Sequence, residues 1–183
     1  SRGLGDVYKR QVKDSINNEN RNDENVPFSG ISCCVMGVSG AGKTALMAKV
    51  AQETYLDSNG IPLIIRFCGT SDGSYNARKL MMSICLQIEI VYEFPDEQRR
   101  ALTFDTKKYA ELVEYFQSLL QEHPVILFVD SLDQLSNEDQ GRSDISFLKG
   151  VKPHENTRII VSSLPDDENY TYYCDLKLRN SNV

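Results

Sequence analysis

The stretch with the most specific chemical pattern is GVSGAGKT, at residues 37–44. It fits G-x-x-x-x-G-K-[ST], in which glycines permit backbone conformations that most side chains would crowd out. The N–H groups of such a loop can converge on phosphate oxygens where a helix begins. Lys43 would bring a positive charge to the outer phosphates, and the Thr44 hydroxyl can bind Mg²⁺. The predicted phosphate-binding residues are Gly37, Val38, Ser39, Gly40, Ala41, Gly42, Lys43, Thr44 and Ala45.

The residues on either side of this motif suit a nucleotide site. The apolar run ISCCVM, at 31–36, precedes it, and the Ala-rich residues 44–55 favour a helix after it. The alternative is a glycine-rich turn that binds no ligand. From average composition, a chance match in a chain of this length has a probability on the order of one percent. The motif and its setting together favour nucleotide binding.

Two aspartates, Asp130 and Asp133, stand at and just past the end of the apolar run VILFVD. The Mg²⁺ of a nucleotide needs an acid on a neighbouring strand, and Asp130 fits that need, holding the ion through a water. The alternative role for Asp130 is to cap the following helix. We predict that Thr44 and Asp130 are the metal ligands.

Asp133 is the candidate for the chemical step. Its carboxylate could orient or deprotonate a water that attacks the terminal phosphate. Gln134 could position the same water, and the alternative for Asp133 is a charge favoured by the dipole at a helix start. We predict catalytic roles for Asp133 and Asp130.

Alternating apolar runs and helical patterns must position these residues. Strand, helix, strand, helix, strand, helix, strand is the order of a parallel sheet wrapped by helices. The predicted strands cover 31–36, 63–68, 125–130 and 158–163. The predicted helices cover 44–55, 76–93, an apolar stripe from Tyr109 to Leu120 opened by an Asp105 cap, and a weaker stretch around 144–148.

Two further features lie on the second and fourth predicted strands. If the fourth strand lies between the first and the third, its last residues, Ser162 and Ser163, come near the terminal phosphate; the alternative is that they begin a loop. Arg66, on the second strand, has no chemical role that we can assign beyond anchoring a loop.

Length and charge limit the classes of function. The chain has 183 residues and a formal net charge of −6, which suit one globular domain and argue against a nucleic-acid surface. No apolar run approaches the roughly 18–20 residues of a membrane span, and nothing resembles a secretory signal. The five cysteines lack CxxC spacing, so a zinc site is disfavoured and reduced cysteines of a cytoplasmic protein are expected.

The two ends of the chain differ from its centre. Residues 1–11 resemble translated library adaptor, and the polar, Asn-rich stretch that follows reads as a linker or short surface helix. We predict a disordered or non-native segment over 1–27. We predict the P-loop domain over 28–183, incomplete at its C-terminus.

Three segments carry a resemblance to a known family: GVSGAGKTALMAKVA, RFCGTSDGS together with VILFVDSLDQLS, and RIIVSSLPD. They resemble the NACHT branch of the STAND NTPases, and most of all the nephrocystin-type and NACHT–WD-repeat proteins. The resemblance implies a three-layer α/β P-loop fold of the ASCE type with strand order 5-1-4-3-2, in which the fifth strand is either present or truncated here. It implies ATP and Mg²⁺ as ligands and a switch that hydrolyses ATP slowly. It also implies flanking repeat domains that bind other protein subunits.

This sequence departs from that family pattern at two places. Gln134 follows Asp133 where relatives often carry a second acid, and Leu164-Pro165 occupies the region of a phosphate-sensing arginine. Both departures favour slow or absent hydrolysis. The alternatives to a switch are a small-molecule kinase, for which the signal of an Arg-rich lid is poor, and a hydrolysis-deficient ATP-binding scaffold. A GTPase is disfavoured because the chain has no NKxD motif.

Overall fold

A four-stranded parallel sheet forms the centre of the protein. In this computed structural model the described residues are 9–10, 12–14 and 30–165. The strands are β1 (Cys33–Met36), β2 (Leu63–Phe67), β3 (Ile126–Asp130) and β4 (Arg158–Ser163). Their order is β1-β4-β3-β2, which confirms the expected sequence 1-4-3-2 within the sheet. The predicted fifth strand lies outside the described residues.

The helices cover both faces of the sheet and make three layers. They are α1 (Lys43–Leu56), α2 (Ala77–Val91), α3 (Tyr109–Glu122) and the short α4 (Gly141–Asp144). Short 3₁₀ turns span Asp96–Gln98, Ala101–Asp105, Leu132–Gln134, Glu138–Gln140 and Ser146–Leu148. Within the described part of the chain, no helix is both long and apolar enough to cross a membrane.

Side-chain alternation along the central strands separates two cores. Leu127, Val129, Ile159 and Val161 pack toward α2 and α3, whereas Phe128 and Ile160 pack toward α1. All five residues of β3 are buried, as expected for a parallel strand covered on both faces.

Two helix predictions were wrong in detail. The predicted Asp105 cap is absent: Asp105 ends a 3₁₀ turn, and α3 begins at Tyr109 after Lys108. The guanidinium of Arg78 donates to the carbonyls of Phe104 and Lys107, at 3.0 and 2.6 Å, and so holds this turn from outside. Such a tertiary contact has no signature in local sequence.

The predicted helix around 144–148 is also interrupted. Ile145 has a left-handed backbone, with φ 42°, between α4 and the 3₁₀ turn Ser146–Leu148. Its side chain is fully buried. Burial of this side chain favours the break over a continuous helix, although left-handed backbone is strained for a β-branched residue.

Arg66 ties β2 to α2. Its Nε donates to Ser83 Oγ at 2.9 Å, and one terminal nitrogen donates to Gln87 Oε1 at 2.7 Å. Burial lowers the pKa of Arg66. The suggested loop anchor is therefore wrong, because Arg66 anchors a helix.

The described N-terminal residues contact α1. Residues 9–10 and 12–14 are helical, and Val12 is buried in the core on the α1 side. Lys9 and Lys13 form ion pairs with Glu53 of α1, at 2.7 and 2.6 Å. Lys9, Val12 and Lys13, which belong to the segment that we set apart, thus contact the fold, and the division of the chain at residue 27 stays a prediction.

Candidate functional site

The glycine-rich loop joins β1 to α1 at the carboxyl edge of the sheet. Gly40 and Gly42 have φ of 77° and 85°, so both lie in the left-handed region that favours glycine. Among the described residues, a Cβ added at either position would meet nothing within 4 Å. These two glycines are thus required by backbone conformation and leave open space above the loop. Gly37 has its backbone outside that region. The predicted need for a conformation that favours glycine therefore applies to Gly40 and Gly42 but not to Gly37.

The first turn of α1 faces this open space. Gly42 is its N-cap residue and supplies no side chain to bond the first N–H groups of the helix. Those groups lack acceptors within the helix and carry the positive end of its dipole. The Nζ of Lys43 lies 2.6 Å from the Gly37 carbonyl and 3.1 Å from that of Val38. The loop and the start of α1 therefore supply N–H donors, and Lys43 adds one full positive charge that is held by two carbonyls of the loop.

Asp130 lies beside the start of α1. The Thr44 hydroxyl donates to Asp130 Oδ2 at 2.6 Å, although the two residues are 86 positions apart in sequence. Asp130 is 2% exposed, and its other oxygen accepts from Ser162 Oγ at 2.5 Å. The predicted pair of metal ligands is thus brought together, and Ser162 fixes the carboxylate from β4.

Asp133 lies in the 3₁₀ turn that follows β3. Ser131 bends the chain there with a left-handed backbone, φ 61°, and its N–H donates to Ser162 Oγ at 2.8 Å. Asp133 is 3% exposed. Its Oδ1 accepts from the N–H of Leu164 at 3.0 Å, and its Oδ2 accepts from Gln134 Nε2 at 2.7 Å. Both oxygens of the predicted catalytic carboxylate therefore have partners.

The two serines at the end of β4 have different surroundings. Ser162 contacts Asp130 and thereby reaches the predicted metal ligand. Ser163 is paired in register with Met36, and its buried hydroxyl has no hydrogen-bond partner among the described residues. Side chains alternate between the two faces of a strand, so Ser162 and Ser163 lie on opposite faces. The expectation that both come near the terminal phosphate is therefore better supported for Ser162 than for Ser163.

The sequence pattern missed three contacts of this site. They are Ser162 with Asp130, Leu164 with Asp133, and the close packing of Gly69 on Gln134. The contact of Ser162 with Asp130 follows from the register of β3 and β4. Val129 pairs with Val161, so the next residues of the two strands are neighbours. The other two join loops whose path depends on the whole fold.

The residues fit a magnesium nucleotide. Hydroxyl and carboxylate oxygens are ligands that Mg²⁺ prefers, and Thr44 and Asp130 place one of each within hydrogen-bonding distance. The open left-handed glycines leave the loop N–H groups accessible for phosphate.

Comparison with known proteins gives a family. The family model described as Nephrocystin 3, N-terminal, matches residues 18–163. NACHT and WD repeat domain-containing protein 2 of Mus musculus is 34% identical over 144 residues, covering 72% of this chain and 8% of the relative. The same protein of Homo sapiens is 34% identical over 136 residues, covering 68% and 7%.

Two other matches are more distant. NACHT domain- and WD repeat-containing protein 1 of Homo sapiens is 31% identical over 115 residues, covering 59% of this chain and 7% of the relative. The structure of Cdc6p from Pyrobaculum aerophilum matches with 16% identity and a TM-score of 0.49, covering 89% of this chain and 39% of that one. The chain thus spans less than a tenth of the curated relatives. By its family match it belongs to the nephrocystin 3 N-terminal family, with the three-layer α/β P-loop fold and the NACHT resemblance both confirmed.

Proposed function

We propose that this nucleotide-binding, NTPase-like domain binds ATP with Mg²⁺ and acts as a nucleotide-gated switch in protein assembly or signalling, hydrolysing ATP slowly. The observation that carries the proposal is the hydrogen bond of Thr44 with Asp130, at 2.6 Å. It joins the glycine-rich loop to the end of β3. A turn without a ligand would not require this meeting of a helix start and a buried acid.

Each part of the site has a separate task in this proposal. The loop N–H groups and Lys43 bind the phosphates, while Thr44 and Asp130 hold the metal. When bound, Mg²⁺ offsets the negative charge of the phosphate oxygens. Ser162 keeps the Asp130 carboxylate turned toward Thr44, because its hydroxyl occupies the other oxygen.

Slow hydrolysis is supported by the surroundings of Asp133. A general base must reach the water whose proton it accepts, directly or through another water. The carboxylate of Asp133 is buried and accepts hydrogen bonds from Leu164 and Gln134. Because Asp133 is 3% exposed, its carboxylate offers little access to the attacking water, which slows the reaction.

The same contacts favour a second candidate function, an ATP-binding scaffold without hydrolysis. If the buried carboxylate of Asp133 admits no attacking water in the ATP complex, it serves structure alone. The two candidates share the binding site and differ in turnover.

The proposed role in assembly is supported by the relatives. The relatives are named for WD repeats, and this chain spans only a small part of their length. We propose that the domain couples ATP binding to other protein subunits through such repeats.

The test compares two lysine variants of α1. Lys43→Ala should abolish binding of Mg-ATP in a calorimetric titration, since the phosphate charge loses its partner. Lys49→Ala is the matched control, because Lys49 lies on the same helix with its side chain 55% exposed. Equal affinities for the wild type and Lys43→Ala would refute nucleotide binding at this loop.

A further inference from the structure

We propose that Gly69 is a positioning residue for Asp133, acting through Gln134. The lack of a side chain at Gly69 lets the loop after β2 pack directly on Gln134, whose amide then holds the Asp133 carboxylate. This inference rests on the proposed function, in which Asp133 acts in ATP hydrolysis.

The packing of Gly69 on Gln134 leaves no room for a side chain. A Cβ added to Gly69 would lie 2.8 Å from Gln134 Cβ and 3.2 Å from its Cγ. Contacts that short force a displacement, because packed protein interiors leave few gaps. Gly69 also has φ 75°, so its backbone favours glycine as well.

Gln134 is restrained on both sides by backbone contacts. The N–H of Cys68 donates to the Asp130 carbonyl at 3.0 Å, and that of Ser136 donates to the Tyr75 carbonyl at 2.6 Å. These bonds tie the loop after β2 to the turn after β3 before and after Gln134. A shift of either loop as a whole would break these bonds. The Gln134 side chain itself must therefore move to make room for a Cβ at Gly69.

The restrained amide determines where Asp133 points. Gln134 Nε2 lies 2.7 Å from Asp133 Oδ2, and the Leu164 N–H lies 3.0 Å from Oδ1. A carboxylate with a donor at each oxygen has little rotational freedom. If Gln134 moves, Asp133 loses one of the two restraints, and its bond to Leu164 weakens with it.

Gly69→Ala and Gly73→Ala form a matched pair. Gly73 lies in the same loop with φ 86°, so alanine at either position adopts a left-handed backbone at a similar energetic cost. At Gly73 a Cβ would meet Lys79 Cδ at 3.0 Å, which is part of a long flexible side chain. The clash with Gln134 is thus specific to Gly69→Ala.

We expect Gly69→Ala to lower kcat for Mg-ATP by about tenfold and to leave the Kd for ATP within about twofold, because ground-state binding is untouched. Gly73→Ala should keep both values. Gln134→Met gives a second variant that keeps the stem against Gly69 and removes the amide donor. It should lower kcat to a similar extent without introducing a clash or a strained backbone.

Amide hydrogen exchange at Leu164, measured without nucleotide, tests the positioning independently of turnover. Exchange should be faster in Gly69→Ala and Gln134→Met than in the wild type and Gly73→Ala. If exchange in all four proteins is the same, the inference is overturned, whatever the turnover. If exchange follows the expected order but the wild type does not hydrolyse ATP, the positioning stands and the proposed hydrolysis fails.

Discussion

The hydroxyl of Thr44 donates to Oδ2 of Asp130 at 2.6 Å, across 86 positions of sequence. This bond joins the first turn of α1 to the end of β3, with β4 lying between β1 and β3 in the sheet. Because the carboxyl ends of parallel strands share one edge, two residues that end separate strand–loop units can share one ligand.

Removal of the Thr44 hydroxyl should abolish the increase in ATP affinity that Mg²⁺ provides. We expect Thr44→Ala to weaken ATP binding in Mg²⁺ by about tenfold or more, which corresponds to about 1.4 kcal/mol. Thr44→Ser keeps the hydroxyl and should keep the Mg²⁺ dependence. Titrations of ATP with Mg²⁺ and with a chelator measure the difference. An undiminished Mg²⁺ dependence in Thr44→Ala would count against the metal role.

Asp133→Asn should separate turnover from affinity. The amide oxygen can still accept from the Leu164 N–H, but it cannot accept a proton from water at neutral pH. We expect kcat to fall about tenfold or more while ATP affinity stays within about twofold. Steady-state turnover and equilibrium titration are the measurements. Asp96→Asn, at a side chain that is 90% exposed, is the control. If turnover is unchanged in Asp133→Asn, then Asp133 is a structural residue.

The contact of the N-terminal residues with α1 should depend on pH. Hydrogen bonds from Lys13 and Lys9 lower the pKa of Glu53 from 4.5 to about 2. A carboxyl with a lowered folded-state pKa contributes stability above its unfolded pKa, and that contribution is lost as pH falls toward the folded value. We therefore expect the wild type to exceed Glu53→Gln in stability above pH 4.5, with the difference shrinking toward pH 2.

Denaturant midpoints of both proteins between these two pH values measure this effect. Added salt should reduce the difference, because ion pairs near the surface are screened. A difference that is constant with both pH and salt would show that Glu53 acts through packing alone.

Much of the fold follows from local pattern. Arg158–Ser163 forms a strand with the predicted bounds, because an uninterrupted apolar run between turns suits a strand buried on both faces. The observed bounds of α2 are close to the predicted 76–93, because the Asn76 side chain accepts from the Lys79 N–H and so caps the start of the helix. The prediction that Asp105 caps α3 in the same way was wrong. Arg78 holds the turn that separates Asp105 from α3.

The sequence by itself determined which residues we predict to carry the chemistry. The spacing of glycines, Lys43 and Thr44 needs a strand before it and a helix after it, and local propensity supplies both. Asp130 was identified because it ends an apolar strand.

Only the tertiary structure decided how those residues are held. The partners of Asp130 and Asp133 come from β4 and from the residue that follows it, and Gln134 packs on a loop from β2. These contacts depend on strand register and on the distance between two loops. That distance must be set to within a fraction of the size of a side chain. Local sequence sets the elements, but the distances between them come from packing the whole sheet and its helices together.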